Sequence, residues 1–477
     1  MSTLQYLPNE ILGLIFEHLY LLNRQPIADP QDTREMDWEC ANFKSPDLFP
    51  WVLFRVCQRW GYIAAHYPHF WTRLAFDLAS PEALPLAAFE WSKDYLFEVL
   101  VFDSRSLETP QTSEMVTGAI SGLSMDERAS LERKIVQAIT MALYPHLPRC
   151  TSLEYDVKYG SSLPYIPSLL HHDPNLLNSI KLKYTTTNIL GPRHLNSSTH
   201  LEKAVTLMPF KSIDAVSLPI EAFISVGRID PHIWNTMDRK LTLALYNYQF
   251  CSKASSQNSG TASIAEFLRY FTSLTRVCSL TLRNLSVRSL PELAISDSEP
   301  DIQLQPNDWT YGFVQFENLS KKFLEILLEG CEIFSDTGAI KNCKLPKNSN
   351  YLNIMELSLY DLPRDAKPGR VVKDYGGSTI QFHSCHYLDN QVFQLLAGRQ
   401  CNLFKSLHLV DCDGYSIRAL KDLVIARGEL AGTTDDSNSG VYYDTPMESM
   451  LLDGNGPKLS PADIQWFSLH LESFYCS

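Results

Sequence analysis

Long apolar runs are missing from these 477 residues, and so is any excess of positive charge. No stretch of about 18 apolar residues occurs and no charged-then-apolar leader opens the chain, so the sequence predicts a soluble intracellular protein, cytoplasmic, nuclear or both. The net charge of -13 and pI near 5.5 argue against binding to nucleic acid or to an anionic membrane, for which a basic patch is needed. Paired cysteines are missing too. The eleven Cys are scattered without a Cys-x-x-Cys, which fits reduced, mostly buried thiols rather than disulfides or a zinc framework.

Catalytic signatures are equally scarce. There is no Gly-x-x-x-x-Gly-Lys-Ser/Thr phosphate cradle, no Gly-x-Ser-x-Gly elbow and no His-Glu-x-x-His pair, so the expectation is a protein that is not an enzyme and carries no cofactor. The densest candidate cluster, His383-Ser384-Cys385-His386, could in principle supply metal ligands. Cys385, however, falls at the end of a strand pattern where a thiol is structural, and no metal is expected there. His171-His172-Asp173 precedes Pro174 and reads as a solvated turn. Cys57 is flanked by apolar residues in a helix and reads as a packed thiol rather than a nucleophile.

What is present starts at the N-terminus. Pro8 suits a first helical turn and Glu10 the positive end of the helix dipole. Ile11, Leu12, Ile15, Phe16 and Leu19 then recur at spacings of one, three and four, so they cover two adjoining faces. One face can pack inward while the other needs a cover from outside, and the obvious cover is another protein. Leu53, Val56, Cys57, Trp60, Ile63 and Ala64 predict a second helix closed by Pro68, followed by a short segment with Phe70, Trp71 and Leu74.

The Leu-Pro-x-Glu-Ile-Leu start, the Val-Cys-x-x-Trp block and Tyr67-Pro68-His69-Phe70-Trp71 resemble an F-box, in particular the F-box of fungal proteins that continue into leucine-rich repeats. The resemblance covers about residues 4 to 75. It departs from the family in the residues that join its first two helices, where a Pro-, Asp-, Gln- and Asn-rich insertion at about 23 to 50 reads as a surface loop. By position, the resemblance implies Leu7, Pro8, Ile11, Ile15, Leu19, Val56, Cys57 and Trp60 as the set that binds the adaptor or forms the F-box core. Internal packing of the three helices remains the alternative for each.

After residue 95 the recurring signal is Leu-x-x-Leu-x-Leu-x-x-Asn/Cys, in which alternate apolar residues point into a core. Leu407, Leu409 and Cys412 fit it, as do Met447, Met450, Leu452 and Asn455, and Val277, Leu280, Leu282 and Leu285. Ile354, Leu357, Leu359 and Leu362 repeat it, Ile380, Phe382 and Cys385 give a shorter copy, and Leu177, Ile180 and Leu182 a weaker one. The terminal Asn or Cys should turn inward and bond the backbone of the bend. Helices are expected after three of these strands, at 389–396, 417–424 and 460–467. Tyr95 to Val101 is expected as the first strand, and a helix at 126–143 should pack through Leu131, Ile135, Ile139 and Leu143. Polar stretches at 186–200, 252–262, 292–308 and 431–440 read as mobile loops.

This region resembles the irregular, Cys-containing leucine-rich repeats that follow F-boxes. The expected fold class is therefore α/β, a small three-helix F-box at 1–80 followed by an irregular leucine-rich-repeat (β/α) solenoid at 83–477. The resemblance implies a substrate-recognition subunit of an SCF-type cullin-RING ubiquitin ligase: the F-box binds the Skp adaptor, the cullin is reached indirectly, and the repeats hold a target protein. The alternative is a non-catalytic F-box or repeat scaffold that binds a partner without promoting its ubiquitination. Side chains between the buried strand residues should line the target face, and Arg283, Tyr360, His383 and His408 are the candidates there, since Arg and aromatic residues dominate binding hot spots.

Overall fold

The computed structural model describes residues 6–24, 49–79, 86–104, 123–170, 176–186, 213–230, 233, 240–251, 262–274, 277–288, 309–346, 352–373, 375–401, 403–432 and 445–477. The chain is α/β and divides into two compact units, Met1–Leu218 with Thr236–Arg239, and Pro219–Asn235 with Lys240–Ser477. Most of the 23–50 insertion, the turn at His171-His172-Asp173 and nearly all of the polar stretches expected as loops lie outside the described residues.

The first unit opens with α1 (Asn9–Arg24), whose first turn follows Pro8 and carries Glu10. The Leu12 N–H donates to the Pro8 carbonyl at 3.1 Å. The single helix expected from Leu53 to Ala64 is instead two, α2 (Trp51–Val56) and α3 (Gln58–Ala65). Cys57 lies between them in extended backbone, and its carbonyl accepts from the Gly61 N–H at 3.2 Å, so it starts α3 rather than continuing α2. The apolar spacing survives this break, which is why periodicity alone missed it. A 3-10 turn, Pro68–Trp71, follows, and the buried Trp71 indole donates to the Ala64 carbonyl at 3.0 Å.

Five strands complete this unit, each parallel to the next in chain order: β1 (Arg73–Asp77), β2 (Phe97–Phe102), β3 (Cys150–Tyr159), β4 (Ser179–Thr186) and β5 (Ala215–Pro219). The first strand is therefore β1, not Tyr95 to Val101, and Tyr95 and Leu96 sit exposed ahead of β2. Between β2 and β3, the helix Met125–Leu143 is started by a capping box in which Ser124 and Glu127 satisfy each other's backbone N–H. Its buried stripe is Ala129, Glu132, Val136, Ile139, Thr140 and Leu143, whereas Leu131 is exposed. Ile139 and Leu143 of the expected stripe lie on it and Ile135 is half-buried beside it; the N-terminal part of the stripe was misplaced because the inward position there is the polar Glu132. The Glu132 carboxylate accepts from the Lys158 and Tyr159 N–H groups, and the Thr140 hydroxyl meets Tyr155 Oη at 2.8 Å.

The second unit holds β6 (Leu241–Cys251), β7 (Val277–Arg288), β8 (Trp309–Glu317), β9 (Ile333–Lys341), β10 (Leu352–Tyr360), β11 (Thr379–His383), β12 (Ser406–Val410), β13 (Ser449–Asp453) and β14 (Ser473–Cys476), again parallel and in chain order. Register puts Leu282, Phe316, Ile340, Leu359, Phe382, Leu409 and Leu452 in one inward row, all buried. Helices lie between several of the strands. Asn390–Leu396 is capped by Asp389, and Pro461–His470 carries a Ser460/Asp463 capping box, both where the sequence places them.

A residue in the left-handed region follows each strand from β8 to β12, namely Asn318, Asn342, Asp361, Ser384 and Asp411, and Asn284 takes the same conformation inside β7, with φ between 48° and 55°. This kink breaks the alternation of sides, so the residue after it turns inward. Leu285, Leu319, Cys343, Leu362, Cys385 and Cys412 are accordingly buried. The three thiols bond backbone carbonyls of the bend as expected, Cys412 Sγ donating to the Phe382 and Val410 carbonyls at 3.3 Å each. Asn455 does not follow them. It is exposed, and its N–H and side-chain amide donate to Asp411 Oδ1.

Candidate functional site

On α1 the two faces separate cleanly. Leu12 and Phe16 are fully buried, Phe16 against Trp60 with ring centroids 5.1 Å apart, and Tyr20 packs on Phe70. Ile11, Leu14, Ile15, Leu19 and Leu22 lie on the other side at successive spacings of three, one, four and three, and all are exposed, Leu14 by 62 %. Of the eight residues carried over from the resemblance, Ile11, Ile15 and Leu19 fall on this stripe and Pro8 is exposed at its start. Val56 is exposed at the end of α2, while Leu7, Cys57 and Trp60 are half-buried. Leu14 and Leu22 are absent from the sequence-based set, although the 11, 14, 15 series carries the signal for the first.

Arg59 holds the start of α1. Its guanidinium donates to the Leu7 carbonyl and to Asn9 Oδ1, the latter at 2.8 and 3.0 Å, which ties Leu7-Pro8-Asn9 to α3. Close contact fixes the middle of the helix as well. A Cβ at Gly13 would run into the Tyr67 ring, so only glycine lets that ring lie against α1.

The face of the second unit opposite its core is built from the residues between the buried ones. Register aligns Arg283, Glu317, Lys341, Tyr360, His383, Val410 and Asp453 in one row, and Thr281, Gln315, Ala339, Ser358, Gln381, His408 and Leu451 in the next. Tyr360 and His383 stack with centroids 4.4 Å apart and planes 13° from parallel. His383 Nε2 meets Gln381 Oε1 at 3.2 Å, and His408 Nε2 meets Ser406 Oγ at 3.3 Å. Three of the four expected target residues thus stand together. Arg283 is farther along the row, in an ion pair with Glu317 at 2.7 Å.

Both imidazoles are held below their ordinary range. Burial is the main cause for each, and for His383 the neighbouring His408 adds to it while Asp361 opposes it. Among the described residues no group of three or more His, Cys, Asp or Glu is placed to hold a metal ion. In the 383–386 cluster, Cys385 Sγ donates to the His383 and Leu359 carbonyls, and His386 pairs with Asp413 at 3.3 Å. No described helix is long and apolar enough to cross a membrane.

No protein-family model matches the chain, and no curated protein matches it.

Proposed function

We propose that this chain is the substrate-recognition subunit of an SCF-type cullin-RING ubiquitin ligase, with an F-box at 1–80 that docks the Skp adaptor and an irregular leucine-rich-repeat solenoid at 83–477 that holds a target protein. The observation that carries the reading is the exposed stripe Ile11, Leu14, Ile15, Leu19 and Leu22 on a helix whose other stripe is already buried. Leaving five large apolar side chains in water forgoes the gain of burying them, so a partner with an apolar groove is stabilised by covering them. The order of elements supports the same reading: helices come first, then parallel strands in chain order, with a polar and aromatic row available to a target. In this role the receptor is not an enzyme. It supplies proximity, bringing a target lysine near the charged ubiquitin-conjugating enzyme.

The test is co-expression with the Skp adaptor. Ile11→Asp combined with Leu14→Asp should abolish co-purification while leaving thermal unfolding unchanged, because both side chains are exposed. Retained co-purification would overturn the reading.

A further inference from the structure

On the target face of the second unit, the row of large side chains is interrupted. Ala339 on β9 and Ser358 on β10 stand side by side in register and leave a depression of about 450 Å³. Phe313 borders it on β8 and Tyr360 on β10, and the side chains of Gln315 and Gln381 flank it. Two charged groups stand at its opposite ends, Lys341 and Glu356. Register fixes their separation, since Lys341 lies beside Tyr360 and Glu356 beside Thr337, four residues apart along the strands, or about 13 Å. Neither forms an ion pair among the described residues, in contrast to Arg283 and Glu317 in the same row.

We infer that this depression seats an extended polypeptide segment in which an acidic, a bulky apolar and a basic side chain occur at alternate positions, the acidic one on Lys341, the apolar one over Ala339 and Ser358, and the basic one on Glu356. Three features select that occupant. An extended chain repeats its side-chain direction every two residues, so positions one, three and five point the same way and span about 13 Å, the distance between the two charges. The small floor leaves room for one large side chain between Phe313 and Tyr360. The opposed charges fix which end of the segment goes where, and they disfavour a segment of uniform charge. The inference rests on reading this face as the target surface.

The test uses the full chain and fluorescein-labelled nine-residue peptides, flanked by glycine and serine, with Asp, Phe and Arg at alternate central positions, synthesised in both chain directions. Saturable binding in one direction is expected by fluorescence anisotropy. Lys341→Glu and Glu356→Lys should each weaken it about fivefold, and the double variant should regain it with a peptide whose Asp and Arg are exchanged. Ala339→Leu should remove binding by filling the floor, without shifting the melting temperature. Equal binding of a peptide lacking both charges, or no saturable binding of either peptide, would overturn the inference. Adaptor co-purification is measured on the same variants and should not change; an unaltered chain that captures the adaptor but binds neither peptide refutes this site alone. Peptide binding without adaptor capture by the unaltered chain refutes the ligase reading alone.

Discussion

Phe16 and Trp60 meet edge to face, with ring centroids 5.1 Å apart, and this contact fastens α1 to α3. Phe16→Ala removes a fully buried ring and is expected to cost about 3–5 kcal/mol. Leu14→Ala, two residues away on the exposed stripe, should stay within about 0.5 kcal/mol of the unaltered chain. Chemical denaturation of the two variants checks this, and equal losses would mean that α1 does not have an inner and an outer face.

Arg59 ties the Leu7 carbonyl and Asn9 to α3 through its guanidinium fork. Arg59→Lys keeps the charge but loses the planar two-nitrogen geometry, and should lower stability by about 1–2 kcal/mol. Hydrogen exchange should localise the change to the first turn of α1. Exchange that stays uniform along the helix would refute the role.

Acid should weaken the second unit through His383 and His408. Both have folded pKa values below the ordinary 6.5, so the unfolded chain takes up protons first. Their contribution is therefore complete above about pH 6.5 and is lost as the pH falls through that value toward the lower folded pKa. His383→Gln should flatten the acid limb of a stability-against-pH profile. An unchanged slope below about pH 6.5 would show that these rings do not set it.

Asn318 sits in the middle of a line of side-chain amides: it donates to Asn284 and accepts from Asn342, at 2.9 and 2.7 Å. Its φ is 53°. Asn318→Ala loses both bonds and a residue type that tolerates this backbone, an expected cost of about 2 kcal/mol. Asn318→Gly restores only the backbone freedom and should recover about 1 kcal/mol of it, read from thermal unfolding.

Strands whose inward positions are large and apolar were legible in the sequence, and β4, β7, β10, β11, β12 and β13 fall on them. β9 was not, for a packing reason. Its inward position opposite Leu357 is Gly338, where a Cβ would meet the Ile354 side chain at 2.6 Å, and buried Ser335 occupies another inward site. Because β8 was likewise unseen, the sequence could not reveal that Arg283 pairs with Glu317, whereas the neighbouring Tyr360, His383 and His408 follow from strands that were seen. On α1, spacing announced two faces but could not decide that Leu12 and Phe16 turn in and Leu14 turns out. That choice belongs to Trp60, Phe70 and Tyr67, which come from elsewhere in the chain.

The left-handed residue that follows each strand from β8 to β12 also governs what lies between strands. The N–H of each one from Asn318 onward bonds the last residue of the following strand, at 2.9–3.0 Å through Asp411. Alignment is thus locked at the strand exits. The brief link from β9 to β10 and the lengthy one from β12 to β13 deliver the chain to the same starting line. Segments can therefore be added or trimmed in the connectors while the lettering of the exposed face stays in order.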